Sequence, residues 1–312
     1  METHCKPGSR LFFCLHDLFQ RGSRLHRAGS ILFSVYLSLL PALTGSCQKL
    51  AAGDPGGEAD PADPEPVVDS VLTRVSFLAE SAAERLDLFI YGAEGIRALE
   101  RHLRLDSLPP DGLRLPTTAG EKILVGIANS PYGFNLNALA RYDAMEQLRF
   151  QFADDDPEHP ILGGMAATRD NAGTVRLQPL LCRIVLRSVA NTMDGYELLE
   201  EPRVRLCDLP DAAEILREKD FRPAELIDTG EWIPLPHDIG YFPLPADIVL
   251  WCYPNDTPEN ILGVSRPTLE FECRIQGELC SFEVPLPPLS RGCTKEVELT
   301  VDGPGSFYYK IR

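Results

Sequence analysis

Between Thr268 and Leu286, apolar and polar residues alternate in two runs separated by a glycine. Leu269, Phe271, Cys273 and Ile275 share one face of the first run, with Thr268, Glu270, Glu272 and Arg274 on the other. Cys280, Phe282 and Val284 repeat the pattern on the return. A period of two suits a strand with one face on a core; a helix repeats its faces every ~3.6 residues. Gly277 fits either of two tight turns. A Gln276-Gly277 turn sets Phe271 opposite Phe282 and Cys273 opposite Cys280. A Gly277-Glu278 turn sets Ile275 opposite Cys280 instead. Both registers keep one face apolar. In the first, the two cysteines take a hydrogen-bonded pair position, where the wide Cα separation strains a disulfide, so free thiols are expected.

The same period recurs along the chain. Val71, Thr73, Val75 and Phe77 share a face. Leu86–Tyr91, Lys122–Ala128 and Thr174–Gln178 read as further strands, the second ending in the turn cluster Asn129-Ser130-Pro131-Tyr132-Gly133. Leu136, Leu139, Met145 and Leu148 predict a helix over Asn135–Arg149. Past Pro179, a plausible boundary, Leu181–Ser188 is apolar on both faces. Val204–Leu209 is a strand, and Asp211–Glu218 reads as a short helix with Asp208 as an early cap. Pro223–Pro245 reads as irregular. Ile248–Tyr253, the run holding Val297, Leu299 and Val301, and the run holding Phe307, Tyr309 and Ile311 complete the pattern. Many short strands, few helices and Pro/Gly-rich turns mean an all-β fold of sandwich type, and the length holds two such units in tandem. The organisation read here is 1–46 leader and signal, 47–66 tether, 67–179 N-terminal sandwich and 180–312 C-terminal sandwich.

Ahead of these units lie Arg21, Arg24, His26 and Arg27, an apolar run from Ile31 to Leu43, and then Thr44-Gly45-Ser46-Cys47. Basic flank, short apolar segment and small residues form the layout of an export signal. Its apolar run, about 13 residues, is short of the roughly 20 needed to span a bilayer. Ser34, Ser38 and Pro41 argue against a buried helix. Leu43–Cys47 resembles the lipobox of bacterial lipoproteins, in the relaxed form common among Bacteroidetes. That resemblance implies lipidation of the Cys47 thiol. Met1–Gln20 reads as sequence upstream of the signal's basic region. Gly53 to Pro66 holds four prolines, five acids and no base, which suits a flexible spacer. The 19 residues from Gln48 reach roughly 25 Å.

Of the chain's 30 basic and 46 acidic residues, five and two lie in the first 46 positions, leaving 25 against 44 and a net charge of −19. Such a surface repels nucleic acid and anionic headgroups, so membrane attachment has to come from acyl chains. Beyond the leader the histidines are His102, His159 and His237, none in zinc spacing, and there is no CxxC pair. Gly263-Val264-Ser265 lacks the second glycine of a nucleophile elbow. Asp154–Glu158 departs from calcium-loop spacing and reads as a solvated acidic loop. Trp232, Trp251 and Tyr253 could stack on a sugar, but the last two sit in an apolar strand and read as core. Cys182, Cys207, Cys252, Cys273, Cys280 and Cys293 read as free, small apolar residues. No catalytic, metal or cofactor set emerges, which points away from an enzyme.

The whole chain after the leader resembles the anchor and accessory subunits of Bacteroidia-type (type V) fimbriae, the fimbrillin-related lipoproteins. The resemblance is carried by Cys47, by the Leu86–Tyr91 strand, by Cys182-Arg183-Ile184-Val185-Leu186-Arg187-Ser188, by Trp251-Cys252-Tyr253-Pro254-Asn255-Asp256-Thr257 and by Gly303-Pro304-Gly305-Ser306-Phe307. It implies two transthyretin-like sandwiches, attachment to the outer membrane by lipid, and a place in cell-surface fimbriae. It also implies partners that are other fimbrial subunits joined by strand exchange, with a surface ligand of host or bacterium. Ser70 in Asp69-Ser70-Val71 and Ser107 in Asp106-Ser107-Leu108 match O-glycosylation triplets of Bacteroidetes exported proteins. The alternative class is a surface glycan-binding lipoprotein of a nutrient-uptake system, which would show coplanar exposed aromatics in a groove. The most informative observation for these readings is whether the chain's own strand near Val71–Phe77 occupies a sheet edge.

Overall fold

The computed structural model describes residues 70–312 except 196, 224 and 259–264. The leader, Cys47 and the tether lie outside the described residues, as do Gly263 and Val264. The first half holds β1 (Ser70–Ala79), β2 (Leu86–Gly92), β3 (Leu99–Leu105), β4 (Leu113–Thr118), β5 (Lys122–Ala128), α1 (Tyr142–Glu146), β6 (Arg149–Gln151), β7 (Leu162–Ala167) and β8 (Ala172–Pro179). The second holds β9 (Cys182–Asn191), β10 (Glu200–Pro210), β11 (Ala212–Glu214), β12 (Leu226–Thr229), β13 (Ile233–Pro234), β14 (Leu244–Cys252), β15 (Thr268–Ile275), β16 (Glu278–Pro285), β17 (Thr294–Gly303) and β18 (Ser306–Ile311). The fold is all-β.

In the first half seven strands form one sheet in the order β3-β2-β5-β7-β8-β1-β4. The sheet bends back over itself between β7 and β8, which share only two ladder pairs. One layer therefore faces the other across Val75, Leu86, Leu88, Ile90, Leu124, Val175 and Leu177, all buried. The layers meet closely at Gly126: a Cβ there would sit 2.9 Å from a Leu177 methyl and 3.3 Å from a Val175 methyl. In the second half, a sheet ordered β12-β10-β15-β16, with β13 also on β10, faces a sheet ordered β14-β9-β17-β18. Alternate residues of both sheets, among them Ile184, Leu186, Val204, Phe271, Phe282, Val297 and Leu299, form the core between them. Each half begins with a strand paired in parallel to a late one, β1 to β8 and β9 to β17.

The hairpin takes the Gln276-Gly277 turn. Cys273 faces Cys280 and Phe271 faces Phe282, with both turn residues at positive φ (53° and 81°). Those two cysteines and the other four among the described residues carry free thiols. Trp232 leads into β13 and lies against β10, its ring centroid 4.6 Å and 4.2 Å from the guanidinium carbons of Arg203 and Arg205. The same arginines pair with Glu272 and Glu270 across the sheet.

Two expected helices are replaced. Within Asn135–Arg149 only Tyr142–Glu146 is helical. The backbone at Ala140 and Tyr142 is bonded instead to Leu99 and Arg97, which prevents a continuous helix. Leu139 and Met145 are buried, but Leu136 is 39% exposed. Asp211–Glu218 contains no helix: Ala212–Glu214 pairs with Gln151–Arg149, and Ala213 and Ile215 are buried. Pairing to a neighbour overrides the helix preference of an Ala-Ala-Glu run. Asp208, expected as its cap, lies at φ 56° inside β10. Pro223–Pro245 is less irregular than expected, since it supplies β12 and β13.

Between the halves lies a further apolar cluster that includes Phe89, Tyr91, Met145, Phe150, Leu180, Ile215 and Tyr253. Two polar groups cross it. Half-buried Arg291 donates to the carbonyl oxygens of Gln178 (2.6 Å), Gly163 (2.8 Å), Ile215 (2.6 Å) and Pro179 (3.3 Å). Among the described residues no carboxylate contacts it, and desolvation of its guanidinium lowers its pKa to about 10. The second group corrects the solvated-loop expectation: Asp155 is 7% exposed. Its Oδ1 accepts from the Ile161 N–H at 2.9 Å and its Oδ2 accepts from the Tyr253 hydroxyl at 3.0 Å. Burial, against those two hydrogen bonds, raises its pKa to about 6, with Asp156 adding repulsion. An acid whose folded pKa is raised contributes stability below its unfolded pKa near 4, and that contribution is lost as pH rises through about 6. Asp155→Asn removes this dependence. Urea unfolding of both proteins is expected to show the stability of wild type relative to D155N falling by on the order of 2–3 kcal/mol between pH 4 and 7.

Candidate functional site

β1 lies inside its sheet, between β8 and β4; the outermost strand on that side is β4. The chain's own strand near Val71–Phe77 therefore does not occupy a sheet edge. Its two ladders divide the strand. Ser70–Val75 pairs antiparallel with Thr118–Leu113, and Arg74–Ala79 pairs parallel with Ala172–Leu177. Only Arg74 and Val75 have partners on both sides, so β1 is a diagonal strap. The cause lies in β8. It begins at Ala172, directly after a hairpin whose turn residues Asp170 and Asn171 are at positive φ (49° and 58°). Nothing of β8 reaches Ser70–Thr73. Two hollows flank that free stretch. One, about 280 Å³, is lined by Ser70, Glu100, Arg101, Pro116, Thr117 and Thr118. The other, about 230 Å³, is lined by Leu72, Arg74, Arg114, Asp170, Asn171 and Ala172.

The inward face of β1 is the one expected, with Thr73 and Val75 fully buried and Val71 and Phe77 half-buried. Outward, Leu72 is 66% and Leu78 is 55% exposed. Inside the slot the Thr73 and Thr117 hydroxyls hydrogen-bond at 2.8 Å, which satisfies two buried polar groups in an apolar wall. Gly112 admits the strap: its φ is +70°, and a Cβ there would overlap the Val75 carbonyl oxygen. Across the mouth, the unpaired strands β3 and β4 are joined only through side chains. The buried Lys122 ammonium contacts Glu100 Oε1 at 2.9 Å and Thr118 Oγ1 at 2.9 Å. Thr118 Oγ1 also donates to Glu100 Oε1 at 2.8 Å.

Of the sequence-predicted site residues, Cys47 lies outside the described residues. Ser70 is exposed at the start of β1, and Ser107 is exposed in a bend between β3 and β4. The structure places Ser70 beside the slot and gives Ser107 no part in it. Among the described residues no group of three or more His, Cys, Asp or Glu is arranged to hold a metal ion. His102 is held by Asp87 at 2.8 Å and stacks on Phe89, a cross-strand arrangement with Arg104 on the same carboxylate. Of the aromatic residues weighed for sugar stacking, Tyr253 is fully buried, Trp251 packs on the central cluster and Trp232 lies against two arginines. The hairpin turn before β8 was the missed feature: Arg169-Asp170-Asn171-Ala172 carries the Asp/Asn pair that such a turn favours.

No family model matches the chain, and no curated protein matches it in sequence. Solved structures share its fold. A candidate cell adhesion protein from Parabacteroides distasonis superposes with a TM-score of 0.56 at 10% identity, over 78% of this chain and 95% of that one. The tip fimbrial protein Mfa3 from Porphyromonas gingivalis, with a C-terminal truncation, gives 0.52 at 11% identity, over 78% and 99%. A fimbrilin, FimA, from Porphyromonas gingivalis gives 0.51 at 12% identity, over 75% and 91%. At these identities the likeness is one of fold.

A Gly112→Ala variant is expected to lose about 2 kcal/mol or more, from left-handed backbone strain together with the displaced strap. Gly95, at φ +64° with open space around it, supplies the control. Gly95→Ala is expected to lose only about 1 kcal/mol. Urea unfolding of the two variants measures the difference.

Proposed function

We propose that this chain is a non-enzymatic subunit of cell-surface fimbriae, held to the outer membrane by lipid on Cys47 and joined to other fimbrial subunits by strand exchange. The observation that carries the reading is the half-and-half pairing of β1. A strand bonded along its whole length on both sides is hard to replace. A strap with one neighbour at each end can be displaced in stages by an incoming extended segment that takes over the same backbone bonds. The groove it would leave, between β8 and β4, is lined by the buried face of the first sandwich. The fimbrial and adhesion proteins of like fold support the same role. We take the two sandwiches as separate domains meeting near Pro179, with the acidic spacer setting them clear of headgroups. The glycan-binding alternative gains nothing from the aromatic residues weighed for it, since none of them presents an open ring face in a groove.

The test uses paired cysteines at Val71 and Thr117, which face one another in the ladder. In cells that assemble fimbriae, the oxidised V71C/T117C chain is expected to be excluded from polymer and the reduced chain to enter it. Equal incorporation of both would contradict strand exchange at this slot. Labelling with a palmitate analogue separates the anchoring claim, since label on wild type and none on Cys47→Ser is expected.

A further inference from the structure

The register of the second sandwich fixes which loops lie far from the junction. β9 starts at Cys182, next to the buried Leu180 and Leu181, and runs away from it to Asn191. β14 is antiparallel, with Cys252 opposite Cys182 and Leu244 opposite Val189. Residues 192–195, 197–199 and 236–243 therefore sit together at the distal end.

These two segments are joined firmly. Leu199 and Ile239 exchange backbone hydrogen bonds, 3.0 Å each way. Buried Asn191 donates to the Glu197 and Ile239 carbonyls at 2.6 and 3.2 Å and accepts from the Met193 N–H at 3.0 Å. The Glu201 N–H donates to Asp238 at 2.9 Å, and Gln276 at the hairpin tip bonds Glu197. On this fixed mount the chain displays consecutive aromatic residues, Tyr241 at 61% and Phe242 at 81% exposure, and beside them Leu198 at 45%. A Cβ on Gly240 would lie 3.7 Å from Leu198 Cδ2, which places that side chain against the same loop. Around the apolar centre, residues 192–201 and 235–243 contribute Asp194, Glu197, Glu200, Glu201 and Asp238 and no lysine or arginine. Arg274 of the neighbouring strand β15 pairs with Glu201 at 3.1 Å, and the rim stays acidic through the other four.

We infer that this distal aromatic patch with its acidic rim is a docking surface for a protein partner that presents a basic, apolar-centred face. Exposed aromatic residues on a rigid mount, ringed by charge, have the composition of an interface centre with its polar rim. The charge decides the occupant. A second copy of this chain carries a net charge of −16 and the same acidic rim, so it is repelled. Anionic lipid and nucleic acid are repelled for the same reason. A sugar is disfavoured by ring geometry: Tyr241 and Phe242 meet edge to face at 84° and form no flat platform. A cationic protein surface gains from both the rim and the rings. The inference stands apart from strand exchange, because the patch is on the second sandwich and β1 belongs to the first.

The test measures binding of the purified full chain to a synthetic 16-residue peptide of alternating lysine and leucine pairs. Polylysine of equal charge, maltoheptaose and phosphatidylglycerol vesicles are run in parallel. The lysine–leucine peptide is expected to bind saturably, at least tenfold more weakly to Tyr241→Ala/Phe242→Ala and at least tenfold more weakly to Glu197→Lys/Asp238→Lys. Polylysine binding is expected to be unchanged by the alanine pair. Thermal unfolding of the alanine variant is expected to stay cooperative, with a midpoint within a few degrees of wild type, because most of both side chains is exposed. No binding of the peptide, equal binding to wild type and the alanine variant, binding of the sugar or vesicles that the alanine pair abolishes, or a wild-type dimer that the alanine pair dissolves would each overturn the inference. Failure of the fimbrial assembly test would leave all these readouts unaffected.

Discussion

Backbone hydrogen bonding at the first described strand sets the terms for the rest of the molecule. An inner strand has to satisfy its amides and carbonyls on two sides, and β1 does so only at Arg74 and Val75. Elsewhere one side is empty or faces a hollow. The surrounding structure is arranged around this incomplete fit. Gly112 gives way to the Val75 carbonyl, two threonines pair within the slot, and Lys122 bridges the outermost strands through Glu100 and Thr118. Side-chain bridges of this kind hold the two end strands of the seven-strand path together without a ladder between them.

The junction between the halves is built on a different balance. Its apolar cluster is crossed by one half-buried cation and one buried acid, and among the described residues neither has an opposite charge in contact. Arg291 is satisfied by carbonyl oxygens drawn from both halves, and Asp155 by an amide and a tyrosine hydroxyl. Directional bonds from several segments constrain relative position more strongly than apolar contact, which is non-directional. Removing either group would leave buried polar atoms unpaired, a larger cost than the bonds themselves contribute. The connection at the centre is therefore held in a defined position, in contrast to the partly paired strap β1.

Much of the fold was legible because apolar faces repeat with period two. The hairpin itself, the run Lys122–Ala128 and the inward face of β1 follow from alternation; the choice between the two hairpin registers does not, because Gly277 fits either turn and both keep one face apolar. Strands β3 and β4 escaped notice: Leu99–Leu105 and Leu113–Thr118 are at sheet edges, and no residue of β3 is fully buried. The misread helices share a cause. Residues spaced by threes in 135–149, and an Ala-Ala-Glu run at 212–214, carry local helix preference that distant pairing overrides. The position of β1 could not be read from its own residues. It depends on where β8 begins, and that is fixed by the Asp170-Asn171 turn about a hundred residues away. Asp155 likewise looked like one of several solvated acids, since burial by Tyr253 comes from the other half of the chain.

The central claim is that β1 can leave its slot while the rest of the first sandwich stays folded. Native-state amide exchange tests it most directly, by comparing residues 70–79 with β2 and β5 as small amounts of denaturant are added. The account predicts that the amides of β1 exchange through an opening of lower free energy than the global one, with β2 and β5 still protected. Exchange of all three strands in a single step, with one free energy and one denaturant dependence, would contradict it.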